Sequence, residues 1–182
     1  MNFCSQCGHP VSRQIPDGDT HLRFVCAECG TIHYQNPRIV TGCLAIFEDK
    51  ILLCKRAIEP RLGLWTLPAG YMENGETATE GALRETLEEA NARADIINIY
   101  TLFSLPHISQ VYMFFLAELK DLNFSVGVES SDVKLFTEAE IPWQQLAFPI
   151  VHQTIEFYLA DRKTNSFPVR VREIIYKPES SS

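Results

Sequence analysis

The stretch GYMENGETATEGALRETLEEANA, Gly70 to Ala92, decides how the chain is read. Its first half closes a loop running from Leu64 to Glu76, marked by Pro68 and by glycines at 70 and 75. Its second half, from about Thr77 to Ala90, has the composition of a helix, and the Thr77 hydroxyl is suited to cap the free amides of the first turn. That helix puts Glu85, Glu88 and Glu89 within five residues, although like charges one turn apart oppose helix formation by roughly 0.2–0.5 kcal/mol. Projected at about 100° per residue, Leu83, Thr86, Leu87 and Ala90, with Thr79, fall on one side and are expected to face a core. The glutamates fall on the other side, where Ala78 and Gly81 leave a clearing. A carboxylate patch beside a clearing is either a solvated face or a seat for a hard divalent cation such as Mg2+, whose binding would relieve the repulsion.

Around this stretch the pattern is mostly strand. RIVTGCLAIFED and KILLCKRAI are apolar, β-branched runs meeting at Glu48 to Lys50, which predicts a hairpin with Cys43 and Cys54 buried inside it. Further strands are expected at about Ile96 to Leu105, Gln110 to Leu119 and Val133 to Phe136. A second helix is expected from about Ile150 to Arg162, and the tail VRVREIIYKPESSS gives one more short strand and then a disordered end. The domain reading is therefore residues 1–36, then 37–162, then a C-terminal strand and tail over 163–182.

The first segment is organised by cysteine. Cys4 and Cys7, then Cys26 and Cys29, form two C-x2-C pairs separated by eighteen residues, within the range by which two knuckles hold one zinc ion. Gly8 and Gly30 follow the pairs and permit the tight turns that aim backbone amides at the sulfurs. Pro16 to Asp19 supplies a turn and a returning strand. A segment this short builds little core, so the metal would supply its folding free energy, and four protein sulfurs leave no open position for substrate. His9, His21 and His33 lie nearby as potential substitutes that four cysteines make unnecessary.

The 182 residues are 46% hydrophobic and 21% charged, with a formal net charge of -7, which argues against a general phosphate-backbone binder with a clustered basic face. No window reaches the roughly 18 apolar residues of a membrane span, and the N-terminus lacks a charged segment followed by an apolar run. The expected location is the cytoplasm, where cysteines serve as ligands or core residues more often than as disulfides.

Gly70, Glu76, Arg84, Glu85, Glu88 and Glu89 stand in the register G-x5-E-x7-R-E-U-x-E-E-x-G-U, where U is aliphatic. The stretch thus resembles the Nudix box, with departures at Thr86 and Ala92, which replace aliphatic residues, and at Asn91, which replaces the last glycine. Asparagine tolerates the left-handed conformation that ends helices, so Asn91 reads as a helix stop. The resemblance implies an α/β/α sandwich around a mixed sheet over about Pro37 to Leu159, preceded by a zinc ribbon. The order FCSQCGHP, IPDGD, YQNPRIVTGCL, LLCKRAIEP and GLWTLPAGYMENGE is most similar to the plant-type Nudix hydrolases acting on FAD and ADP-ribose. PWQQLAFP, Pro142 to Pro149, keeps only fragments of the motif that follows the box in NADH pyrophosphatases.

The resemblance implies water attack on a pyrophosphate phosphorus assisted by Mg2+ or Mn2+. Glu85, Glu88 and Glu89 would be metal ligands with the Gly70 carbonyl, and Glu76 with Arg84 would form a structural pair. For a base, the loop GVESSDVKLF offers Glu129 and Asp132, of which Glu129 is preferred. Arg56 is a candidate phosphate contact. Tyr71, Phe103 and Tyr112 are candidate stacking partners among which the sequence does not choose. The implied partner is a small dinucleotide or nucleotide-sugar substrate, with no membrane, no nucleic acid, and a homodimer as the common assembly of similar enzymes. NADH pyrophosphatase activity and a non-catalytic nucleotide-sensing regulator, using the ribbon to bind nucleic acid, are the competing readings, with RNA decapping a third within the family for which the acidic balance offers no evident RNA track.

Overall fold

The computed structural model describes residues 1–175 and divides the chain into two compact units, Met1–Pro37 and a second beginning at Arg38. The expected disordered end lies mostly outside the described residues.

The first unit is a three-stranded antiparallel sheet of β1 (Val11–Gln14), β2 (Arg23–Cys26) and β3 (Ile32–His33). The Asp19 amide donates to the Pro16 carbonyl at 3.0 Å, closing the turn that sends β2 back along β1. Gly8 and Gly30 both take positive φ, and their amides donate to the carbonyls of Cys4 and Cys26. Each C-x2-C pair thus sits on a turn that only a glycine enters without strain.

The second unit opens with β4 (Arg38–Phe47) and β5 (Lys50–Arg56), joined through Glu48, which adopts a left-handed φ of 55°. The two strands pair directly only at Ile46–Ile51 and Phe47–Lys50 and then diverge. The gap is filled by β6 (Trp65–Thr66), which pairs with β5, and β7 (Ala69–Tyr71), which pairs with β4. The run from Leu64 to Glu76 is therefore not wholly loop. Gly42 makes this possible, since a Cβ there would collide with the backbone of Pro68 and Ala69. Next come α1 (Ala78–Ala90), β8 (Ala94–Leu105), β9 (Gln110–Leu119), β10 (Ser130–Phe136), α2 (Pro149–Asp161) and β11 (Arg170–Glu173).

The main sheet runs β10-β5-β4-β9-β8-β11, with β4–β9 and β8–β11 parallel and the other pairs on that path antiparallel. Successive side chains point to opposite faces of a strand, and the two cores follow that alternation. Leu44, Ile51, Leu53, Phe114 and Leu116 pack with Ile150, Val151, Ile155 and Leu159 of α2, while Cys43, Ala45, Leu52, Cys54, Phe115 and Ala117 pack with Ala82 and Ala90 of α1. One helix covers each face, which gives the expected Nudix α/β/α sandwich around a mixed sheet.

The packing of α1 corrects the helical projection. Thr86 and Ala90 are buried and Leu83 packs partly against the core, but Leu87 is 48% exposed. Glu85 and Glu89, expected on the open face, are buried. The helix docks along Ala78, Gly81, Ala82, Thr86 and Ala90, whose small side chains let it lie close to β4. A Cβ on Gly81 would press on Thr41, and the Thr41 hydroxyl donates to the Ala78 carbonyl at 2.7 Å. The clearing therefore admits the sheet rather than a ligand, and the close approach draws Glu85 and Glu89 inward beside β7.

Candidate active site

The start of α1 is fixed by a reciprocal cap. The Thr77 side chain accepts from the Glu80 amide, and the Glu80 carboxylate accepts from the Thr77 amide. This sets the register in which Arg84, Glu85, Glu88 and Glu89 meet the loop and β7. The Gly70 Cα faces Glu85 so closely that a Cβ would occupy the space of its carboxylate. Glycine is required there for that approach.

Arg84 does more than hold the loop. Its guanidinium makes five hydrogen bonds: two to the Glu76 carboxylate at 3.0 and 2.8 Å, and one each to Glu85 at 2.7 Å, Glu88 at 3.0 Å and the Tyr71 carbonyl at 3.1 Å. A planar fork suits such sharing. The Arg84 bonds, aided by the Glu73 amide, hold the Glu76 carboxyl well down, at about 2. Two of the three helix glutamates are thus partly answered within the protein, so Arg84 relieves some of the repulsion before any cation binds.

Glu89 is the exception. Burial, then repulsion from Glu85, pushes its carboxyl up to about 8, against the bond it accepts from the Ala69 amide and the charge of nearby Arg56. Its Oε2 is buried without a hydrogen-bond partner, which costs about 1–3 kcal/mol or more. Burial also raises Glu85, which feels Glu88 and Glu129 as further negative charges. A buried orphaned carboxylate oxygen beside a second buried carboxylate and a glycine backbone fits a hard divalent cation. Among the described residues, however, the glutamates do not converge into a tight ligand cluster of the kind the cysteines form.

Glu129 acts electrostatically on both Glu85 and Glu89, whereas Asp132 is paired with Lys134 at 2.8 Å on β10. Of the two acids in that loop, Glu129 is the one brought to the buried carboxylates. Arg56, at the end of β5, donates to the Pro60 carbonyl at 2.8 Å and lies over the Phe148 ring at 5.3 Å. The aromatic candidates separate as well. Phe103 is fully buried in the core, Tyr112 is half-buried, and Tyr71 is 45% exposed next to Gly70.

In the N-terminal unit the sulfurs of Cys4, Cys7, Cys26 and Cys29 all lie within 4.8 Å of one another, with Cys4–Cys29 at 3.7 Å and Cys7–Cys26 at 3.5 Å. Tetrahedral ligation at Zn–S of about 2.3 Å places sulfurs about 3.8 Å apart, so the quartet fits a zinc ion. The Gln6 amide lies 3.4 Å from the Cys4 sulfur, and His33 Nε2 lies 3.3 Å from it. His33 therefore supports a sulfur ligand rather than replacing one.

A family model described as NUDIX domain matches residues 36–158, and another described as Nudix N-terminal matches residues 2–35. The chain belongs to the Nudix family. A crystal structure of a NUDIX hydrolase from Nitrosomonas europaea superposes with a TM-score of 0.93 at 54% identity, covering 96% of this chain and 99% of that one. Proteins named NAD-capped RNA hydrolase NudC are 31% identical in Vibrio parahaemolyticus and 32% identical in Vibrio vulnificus, over 88% and 91% of this chain. The chain spans 62% of the length of each of these two relatives and 50% of a third from Edwardsiella ictaluri. An ADP-ribose pyrophosphatase structure from Streptococcus suis shares the fold, with a TM-score of 0.60, 20% identity, and coverage of 76% of this chain and 100% of that one.

Within this Nudix site the sequence reading overlooked two residues. The Arg38 guanidinium covers one face of the Tyr71 ring at 4.7 Å, and Gln110 Nε2 donates to the Tyr71 hydroxyl at 2.8 Å. Both arise from sheet register, because β4 pairs Arg38 with Gln110 and Val40 with Tyr71. No local motif signals that meeting.

Proposed function

We propose that this Nudix protein hydrolyses the pyrophosphate bond of a nucleoside diphosphate derivative, converting FAD to FMN and AMP or ADP-ribose to AMP and ribose 5-phosphate. The observation that carries the reading is the buried Glu89 carboxylate with its unpartnered Oε2 beside buried Glu85. Glu85, Glu88 and Glu89, with the Gly70 carbonyl, would hold Mg2+ or Mn2+, which neutralises phosphate charge and lowers the pKa of water. Glu129 takes the proton from the attacking water. Arg56 binds phosphate, Tyr71 offers its uncovered ring face to a base, and the Glu76–Arg84 pair keeps the loop seated on α1. A non-catalytic regulator is disfavoured because all four box carboxylates and the arginine are present.

The second reading is cleavage of NADH or NAD, favoured by relatives whose name is NAD-capped RNA hydrolase. That name also brings RNA-linked NAD into the substrate panel, despite the acidic balance of the chain. Product analysis on FAD, ADP-ribose, NADH, NAD and NAD-capped RNA with Mg2+ or Mn2+ separates the readings. AMP with FMN or ribose 5-phosphate as the dominant products supports the first, and nicotinamide mononucleotide, oxidised or reduced, released with AMP or with 5′-monophosphate RNA, supports the second. No metal-dependent cleavage of any of them would contradict both.

A further inference from the structure

Asn91 occupies the box position where the family pattern has glycine, and the structure gives it a second task besides ending α1. Its backbone is left-handed, at φ 47°, and its amide donates to the Leu87 carbonyl at 2.7 Å. A glycine would meet that demand equally well. Its side chain does what glycine cannot: Nδ2 lies 3.0 Å from the Val126 carbonyl, 3.1 Å from the Ser125 hydroxyl and 3.4 Å from the Ser125 carbonyl.

The segment it holds is seated on the end of the helix. The Ser125 amide donates to the Ala90 carbonyl at 2.9 Å and the Gly127 amide to the Glu89 carbonyl at 3.1 Å, satisfying acceptors that a helix end leaves free. Gly127 is pressed against the backbone of Glu88 and Glu89 so closely that a Cβ would collide with it. Two residues later the chain presents Glu129, whose own carbonyl accepts from the Ala57 amide at 2.8 Å. Glu129 is exposed, and its charge reaches Glu85 and Glu89. Its place is therefore set by the loop backbone on either side of it.

We propose that Asn91 is a positioning residue, clasping the Ser125–Gly127 segment so that Glu129 is held toward the buried carboxylates. This rests on the reading of Glu129 as the base. Loosening the clasp displaces a proton acceptor without removing a substrate contact, so kcat falls while KM holds.

The test compares Asn91→Gly, Asn91→Asp, Glu129→Gln and the Asn91→Gly/Glu129→Gln double variant on the best substrate of the panel with saturating Mg2+. Asn91→Gly keeps the helix stop, and Asn91→Asp keeps the shape but sets a carboxylate against two carbonyls. Both are expected to lower kcat about tenfold with KM within about twofold, a loss of the kind that follows small misplacement of a reacting group. On the Glu129→Gln background, Asn91→Gly should cost less than about twofold, because its effect passes through Glu129. An undiminished cost there, or parent kcat in Asn91→Gly while Glu129→Gln is impaired, overturns the role of Asn91 alone. Parent kcat in Glu129→Gln overturns the reading of the base, and the positioning role falls with it.

Discussion

At the residue scale, Glu89 combines features that a stability-driven sequence would avoid: burial, a like-charged neighbour and an oxygen without a partner. A carboxyl whose pKa is about 8 in the fold and near 4.5 in the unfolded chain binds its proton more tightly when folded, so it costs stability as pH rises through that interval. Glutamine does not titrate. In a chelator, the melting temperature of Glu89→Gln relative to the parent is therefore expected to climb between about pH 5 and 8 and then level off. A difference that stays constant over that range would contradict the burial of the charge. Arg84 makes a second residue-scale prediction. Because it bonds Glu85 and Glu88 as well as Glu76, Arg84→Ala is expected to lower kcat several-fold more than Glu76→Gln does. Equal losses in the two variants would reduce Arg84 to a loop fastener.

At the element scale, α1 shows why the acidic stretch was legible and its orientation was not. Capping, length and the left-handed stop at Asn91 are local properties, and Thr77, Ala90 and Asn91 announce them. Which face docks depends on how close the helix can come to β4. Small residues at 78, 81, 82, 86 and 90 decide that, whereas a projection weighted by hydropathy favours Leu87. Ala82→Leu should therefore overpack the interface and cost about 1–3 kcal/mol, while Leu87→Ala should change stability by no more than about 0.5 kcal/mol. Urea midpoints of the two variants decide the matter, and the reverse order would restore the projected face. The meeting of Arg38, Tyr71 and Gln110 was hidden for another reason. It depends on the pairing of β4 with both β7 and β9, and pairing partners far apart in sequence leave no periodic trace in either strand.

At the scale of the whole molecule, the two units draw stability from different sources. The main sheet has a core on each face, and its last strand is fastened by a partly buried ion pair. Arg170 on β11 grips the Asp161 carboxylate with both terminal guanidinium nitrogens, and the Tyr100 hydroxyl donates to that carboxylate at 2.7 Å. Burial alone would raise the Asp161 carboxyl, but the bonds from Arg170 and Tyr100 outweigh it and hold the group below its ordinary value. Stability from a depressed carboxyl is present above its unfolded pKa and disappears as pH falls through the folded one. Asp161→Asn should therefore cost about 1.5–3 kcal/mol near neutral pH and progressively less below about pH 4. A pH-independent deficit would contradict the ion pair. The ribbon has only three short strands and its sulfur quartet, so a strong zinc chelator should release about one ion per chain and strip amide protection from β1 to β3. Hydrogen exchange is expected to find β4, β8 and β9 still protected, and simultaneous loss in both units would show that the ribbon's metal also stabilises the main sheet.

If the carboxylates drawn in beside β7 serve hydrolysis, the steady-state kcat of Glu89→Gln beside the parent, at saturating substrate and Mg2+, reports it most directly. A fall of at least about a hundredfold is expected, the scale on which removal of one preorganised charge-stabilising group is felt, with the circular dichroism spectrum unchanged. Parent turnover in a folded Glu89→Gln protein would contradict it.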